Sequence, residues 1–206
     1  MKKITLILSL FMATQSFAQK CDTIITNDVY TSCFNKELHN PVYVSYKTYK
    51  AGGECSRVGK YFKVDAVKET ATPKDYAGSG FDEGHLADAA DFSGDCDKEE
   101  KTFRFYNCVP QTPHLNRGVW KHYETEIRKL SWTDSLLVIT GSIFGDKTIP
   151  NTKVAIPDYC WKIAQSLTDK RIIYCFIISN DLECKYQSLT IGELQSKLNY
   201  LIPYNK

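Results

Sequence analysis

Four histidines stand in this chain, His39, His85, His114 and His122, and His85 has the setting that most invites chemistry. It follows Asp82-Glu83-Gly84 and precedes LADAADF. Gly80 and Gly84 bracket the position, which allows a tight turn that a side chain at 84 would hinder. Asp82 is placed either to fix a ring tautomer or to cap that turn. The alanines and leucine beyond are enough to begin a short helix. A histidine presented at a strand–turn–helix junction suits a general base, because its ordinary pKa lets it take a proton near neutral pH. His39 and His122 lack that setting and read as structural or exposed.

The electrophilic counterpart lies further on. If Asn116 opens a helix, Glu124 follows a little over two turns later and projects to roughly the same face. An amide oxygen and a carboxylate are hard ligands that suit Mg²⁺, a cation that keeps much of its water and takes few protein ligands. Spacing alone favours Asn116 as a helix cap and Glu124 with Arg128 as an i,i+4 surface pair. The acidic run Asp91, Asp95, Asp97, Glu99 and Glu100 does not fit an EF-hand loop and reads as a solvated loop. No G-x-x-x-x-G-K-[ST], G-x-S-x-G or H-E-x-x-H occurs, which argues against the common triphosphatase, lipase-type and zinc-protease chemistries.

The elements that must hold these residues are mostly strands. Val42–Tyr49 alternates and is rich in β-formers. Tyr61–Val67, Thr102–Val109, Leu136–Ser142, Val154–Ile156, Cys160–Gln165 and Ile172–Ser179 read as further strands. Leu136–Thr140 and Ile172–Ile178 are nearly unbroken apolar runs and belong at a sheet centre. Helical spacing marks Asn116–Leu130, with Trp120 as its anchor, and Ile191–Leu201. The second of these opens on Thr190 with Glu193 in capping-box position. Many antiparallel-looking strands with few helices define an α+β class.

Residues 1–18 read as a secretory signal peptide. Lys2 and Lys3 form the basic end, Ile4–Ala13 the apolar stretch and Ser16-Phe17-Ala18 the small-x-small cleavage site. No other stretch is apolar enough to span a bilayer. The expected product is therefore exported, periplasmic or secreted, with no membrane anchor and one domain over 19–206. The whole chain carries 26 Lys and Arg against 24 Asp and Glu. Without Lys2 and Lys3 the charges balance, so any hold on a polyanion must come from a local patch or a bound metal. Eight cysteines follow the signal. In an exported chain their even number favours disulfides, as many as four, with the pairing left open.

Taken together, GFDEGHLADAADF and FYNCVPQTPHLNRGVWKHYETEIRKL resemble the DNA/RNA non-specific endonuclease family, the ββα-metal or His-Me finger nucleases. The segments LLVITGS from Leu136 and IPDYCWK from Ile156 fit the same pattern. The likeness spans about Asn40 to Ile202, and its motifs are specific in combination. It implies a ββα-metal fold and hydrolysis of phosphodiester bonds in DNA and RNA, leaving 5′-phosphates. It implies His85 as general base and Asn116 as the one direct protein ligand of Mg²⁺, with Mn²⁺ as the alternative metal. It implies Glu124 as a carboxylate orienting the water around that cation, and Arg57 and Arg128 near the scissile phosphate.

One position departs from the family. Where the pattern has arginine before Gly-His, this chain has Glu83. A carboxylate there repels a phosphate unless it points away or a cation offsets it, and Lys60, Lys74 and Arg117 are the candidates. The rival reading is a secreted nucleic-acid-binding or structural protein on the same scaffold, its turnover weakened or lost through Glu83. A protein inhibitor is a further partner that a toxic nuclease would call for.

Overall fold

The computed structural model describes residues 21–65 and 69–204, and the expected signal peptide lies outside them. A seven-stranded antiparallel sheet forms the body. Its strands are β1 (Thr23–Thr26), β2 (Thr31–Asn35), β3 (Asn40–Thr48), β6 (Leu136–Thr148), β7 (Ala155–Ser166), β8 (Ile172–Ser179) and β9 (Tyr186–Ser188), adjacent in that order. A two-stranded antiparallel sheet pairs β4 (Asp82–His85) with β5 (Cys108–Gln111). Among the described residues there are also four short α-helices, α1 (Pro73–Tyr76), α2 (Cys96–Thr102), α3 (Lys121–Leu130) and α4 (Ile191–Lys197), with 3₁₀ or π-helical stretches at Ala89–Phe92, Phe105–Asn107 and Leu115–Trp120. The α+β class and the mainly antiparallel sheet are as the sequence predicts.

The apolar runs at the sheet centre are unbroken because both faces are covered. Alternation along a strand sends neighbouring side chains to opposite faces. Leu136, Val138, Cys160, Ala164, Phe176 and Ile178 pack on one face with Leu115, Trp120 and Ile127. Leu137, Ile139, Trp161, Ile163 and Ile177 pack on the other, under Leu194 and Leu198 of α4. Trp120 is fully buried and anchors its helix as expected. The capping box is also present, with Glu193 N–H donating to Thr190 Oγ1 and Thr190 N–H to Glu193 Oε2.

Several boundaries differ. Thr102–Val109 is not one strand: α2 runs to Thr102, a 3₁₀ turn covers Phe105–Asn107, and only Cys108 onward is β5. Asn107 enforces the break, its amide donating to the carbonyls of Thr102 and Ala87. Tyr61–Val67 forms no strand among its described residues beyond a single bridge from Lys63 to Arg104. The two short segments from Val154 to Gln165 are one continuous strand, β7.

The acidic run is not a solvated loop. Asp95 caps α2 by accepting from the amides of Asp97 and Lys98. Glu99 is buried against Lys60, Glu100 is paired with Lys63, and Asp91 is buried. Each acid that leaves solvent has gained a hydrogen-bonded partner, which burial requires.

Two disulfides are present, Cys21–Cys33 and Cys55–Cys96. Cys108, Cys160, Cys175 and Cys184 are thiols. The first three sit in three separate core clusters, so the protein's packing keeps them apart.

Candidate active site

His85 ends β4, in strand rather than after a turn. Gly84 has no need of a turn conformation; what it accommodates is Gln111 from the facing strand. A Cβ on Gly84 would lie 2.2 Å from Gln111 Oε1. Beyond His85 the chain is stapled to Asn107. Leu86 N–H donates to the Asn107 carbonyl (2.9 Å) and Ala87 N–H to Asn107 Oδ1 (2.8 Å). Asp88 then caps a 3₁₀ turn over Ala89–Phe92 by accepting from Ala90 N–H, the short helix the alanines predict.

The His85 ring lies between aromatic neighbours, 4.5 Å from the Phe62 ring centre and 4.8 Å from that of Phe103. Its Nε2 is buried and has no hydrogen-bond partner. Burial pushes the imidazole pKa down to about 4; Arg57 and Lys162 push the same way and Asp88 opposes them. The ring is thus neutral at physiological pH. Trp120 Nε1–H donates to the His85 carbonyl (3.4 Å) and ties the strand end to the helix.

Around the ring stands a buried charge network. Arg128 binds Asp88 through Nη2 and Asp91 through Nε, the latter at 2.8 Å. The Tyr46 hydroxyl donates to the second oxygen of Asp91 (3.0 Å). Lys162, 1% exposed, sits 3.4 Å from Glu124 Oε1 and 4.4 Å above the Trp120 ring. Burial, reinforced by Asp88, raises the Glu124 pKa, and Lys162 pulls it back. Burial and Asp88 likewise raise that of Asp91. Glu124 and Arg128 are therefore not an i,i+4 surface pair; each faces inward and has its own partner.

Asn116 lies in a π-helical stretch, Leu115–Trp120, kinked at Gly118, and not at a helix cap. Its Nδ2 donates to Asp82 Oδ2 (2.9 Å), which leaves Oδ1 without a partner among the described residues. Asp82 thus serves Asn116, not the His85 ring. Asn116 lines a recess of about 370 Å³ with Asp82, Glu83, Arg117, Phe81, Tyr76 and neighbours, and His85 is not among its walls.

The structure thus gathers His85, Glu124 and Arg128 around Lys162, Asp88 and Asp91, with Asn116 in an adjoining recess. Arg57 is exposed in the loop after Cys55 and reaches His85 only through its charge. Arg128, expected at the phosphate, has two of its donors occupied by carboxylates. Asp88, Tyr46 and Lys162 were not singled out for a role in the sequence, and Asp91 was read there as part of a solvated loop. Their signals were weak: two aspartates three apart after the histidine, and one lysine inside the apolar run of β7.

A metal fits the donors present. Asn116 presents an oriented amide oxygen and Glu124 is a hard oxygen ligand. Among the described residues no group of three or more His, Cys, Asp or Glu side chains is arranged as a metal cage.

Strand, 3₁₀ turn, second strand and helix around one histidine and one asparagine define a ββα-metal nuclease fold. A crystal structure of the EndoG/EndoGI complex superposes with a TM-score of 0.77 at 19% identity, covering 87% of this chain and 84% of that one. The model of the DNA/RNA non-specific endonuclease family matches residues 9–200, and the chain belongs to that family. It is 37% identical over 152 residues to bovine (Bos taurus) mitochondrial endonuclease G, 65% of this chain and 51% of that protein. It is 31% identical over 144 residues to a nuclease of Nostoc sp., 63% of this chain and 53% of that one. The chain spans about half the length of these curated relatives.

Proposed function

We propose that this chain is an exported, divalent-metal-dependent endonuclease that hydrolyses phosphodiester bonds in DNA and RNA to 5′-phosphorylated products. The observation that carries it is the pairing, within one ββα unit, of a neutral, half-buried histidine with an asparagine whose Oδ1 is unused. Family membership supports the reaction type. The apolar, lysine-flanked start of the chain supports export, although several relatives are named as mitochondrial nucleases.

His85 accepts the proton of the attacking water through the part of its half-buried ring that water can reach. Its low pKa keeps the acceptor form fully populated, and the negative phosphate beside it raises its basicity as substrate binds. The Trp120 and Asn107 bonds hold the strand end so that the ring keeps its aim. Asn116 would hold Mg²⁺ through Oδ1, with Glu124 as the nearby carboxylate. When bound, the cation would supply positive charge against the charge developing on phosphate and leaving oxygen. Burial and Asp88 hold the Glu124 pKa above the ordinary carboxylate range and Lys162 draws it back down, while Asp88 and Asp91 hold Arg128 in place. Groups that address the phosphodiester rather than base edges give little sequence preference.

His85→Ala is expected to lower cleavage at least ~10²-fold, the usual contribution of a general base, with the melting temperature retained. Undiminished cleavage by that variant would remove the assignment. Glu83 favours the rival reading of a non-cleaving binding protein, because it is half-buried and meets no cationic partner among the described residues. Absence of any cleavage by the folded wild type would select that reading. The EndoG/EndoGI complex gives a precedent for a protein inhibitor on this fold, and such a partner is compatible with the reading.

A further inference from the structure

Glu83 does not point away from the site. It walls the recess that holds Asn116, where burial and the neighbouring Asp82 raise its carboxyl pKa. Asp82 adds a second carboxylate to the same walls. A phosphate approaching Asn116 would meet both, so the recess needs a cation of its own.

Among the described residues lining it, Arg117 is the only cation. The other candidates are placed elsewhere. Lys60 is bound to buried Glu99, Lys74 is exposed on α1 outside the recess, and Arg128 is held by Asp88 and Asp91. Arg117 is fixed by the carboxylate that also fixes Asn116. Asp82 Oδ2 accepts from Asn116 Nδ2 (2.9 Å) and from Arg117 Nε (2.8 Å), while Oδ1 accepts from Arg117 Nη2 (2.6 Å). Amide and guanidinium are thereby locked into one unit. The Arg117 side chain is nonetheless 72% exposed, and Nη1 has no partner among the described residues.

We propose that Arg117 is a phosphate-binding residue of this site, held by Asp82 beside Asn116 and offsetting the carboxylate of Glu83. This deepens the nuclease reading and rests on it. A guanidinium held along one edge keeps its other donors for a phosphate oxygen, a planar fork that an ammonium does not reproduce. The site would carry its phosphate cation on the helical side of the recess, where β4 presents an acid.

The test uses the full oxidised protein and two readouts, plasmid cleavage with Mg²⁺ and binding of a labelled single-stranded oligonucleotide in chelator, where no turnover occurs. Arg117→Ala is expected to lower kcat/KM on the order of a hundredfold and to reduce the salt slope of binding by about one. Arg117→Lys should recover part of both. Glu83→Arg in the Arg117→Ala background should restore at least ~10-fold of the lost kcat/KM, since it returns a guanidinium to the same recess. Cleavage and salt slope unchanged in Arg117→Ala would overturn the proposal. A loss of cleavage with an unchanged salt slope, and no recovery with lysine, would also overturn it and leave Arg117 as a brace for Asp82. If the wild type binds but does not cleave, the nuclease reading fails while the salt slope still decides the role of Arg117.

Discussion

At the scale of single residues, the site depends on charges that are buried and paired. Lys162 is the clearest case, held between the Glu124 carboxylate and the Trp120 ring with almost no access to water. Removing one member of such a pair leaves the other charge without compensation, at a cost of about 3–5 kcal/mol. Lys162→Met is therefore expected to destabilise the fold by that order. It should also move the acid limb of the cleavage profile to higher pH. Lys162 lowers the pKa of both Glu124 and His85, so its loss raises both. Asp88, Asp91 and Arg128 face the same carboxylate and Tyr46 lies within reach of it, and all remain in the variant. A pH–rate profile that keeps its acid limb while the melting temperature falls would limit Lys162 to packing. The sequence displayed His85, Asn116 and Glu124 because local motifs surround each of them. It did not display the pairing of Lys162 with Glu124 or of Arg128 with Asp88 and Asp91. Those contacts join residues far apart in the chain, where periodicity carries no information.

At the scale of elements, the β4–β5 hairpin aims the histidine. Asp82-Glu83-Gly84-His85 looks like a turn when read locally, because glycine and aspartate favour turns. Pairing with Cys108–Gln111 makes it a strand, a tertiary effect that local propensity does not contain. Gly84 is glycine because Gln111 occupies the space a side chain would need. Gly84→Ala is accordingly expected to destabilise the protein by roughly 1–3 kcal/mol, the usual cost of overpacking, and to lower cleavage by shifting His85. Equal stability in denaturant titration would show that Gln111 moves aside freely. The helix carrying Asn116 and Glu124 was visible from its spacing, whereas the π-helical kink at Gly118 was not. That kink helps explain why Asn116 meets β4 while Glu124 meets β7.

At the scale of the whole molecule, the sheet is a scaffold covered on both faces. Strands β3, β6, β7 and β8 were readable from alternation or apolar runs, whereas β1, β2 and β9 were not, and the strand order follows from long-range pairing that the sequence does not display. The half-buried His85 gives the fold a pH signature. Its imidazole titrates at about 4 when folded against an ordinary value of 6.5. Below 6.5 the unfolded chain takes up a proton that the folded one refuses, so this contribution to stability falls as pH drops from 6.5 towards 4, by up to ~3 kcal/mol. Asp91 and Glu124, with raised pKa values, act in the opposite sense. The difference in unfolding free energy between wild type and His85→Gln isolates the histidine term, and it should shrink through that window. A difference independent of pH would show that the ring titrates normally in the folded protein.

The most direct measurement for the central claim is the fate of a closed circular plasmid incubated with the purified, oxidised protein, once with Mg²⁺ and once with a chelator. Nicking followed by linearisation with the metal, and none with the chelator, is the predicted result, for single-stranded RNA as well as DNA. An intact plasmid across Mg²⁺ and Mn²⁺, from a sample shown to be folded, would contradict it and make this chain a binding protein on a nuclease scaffold.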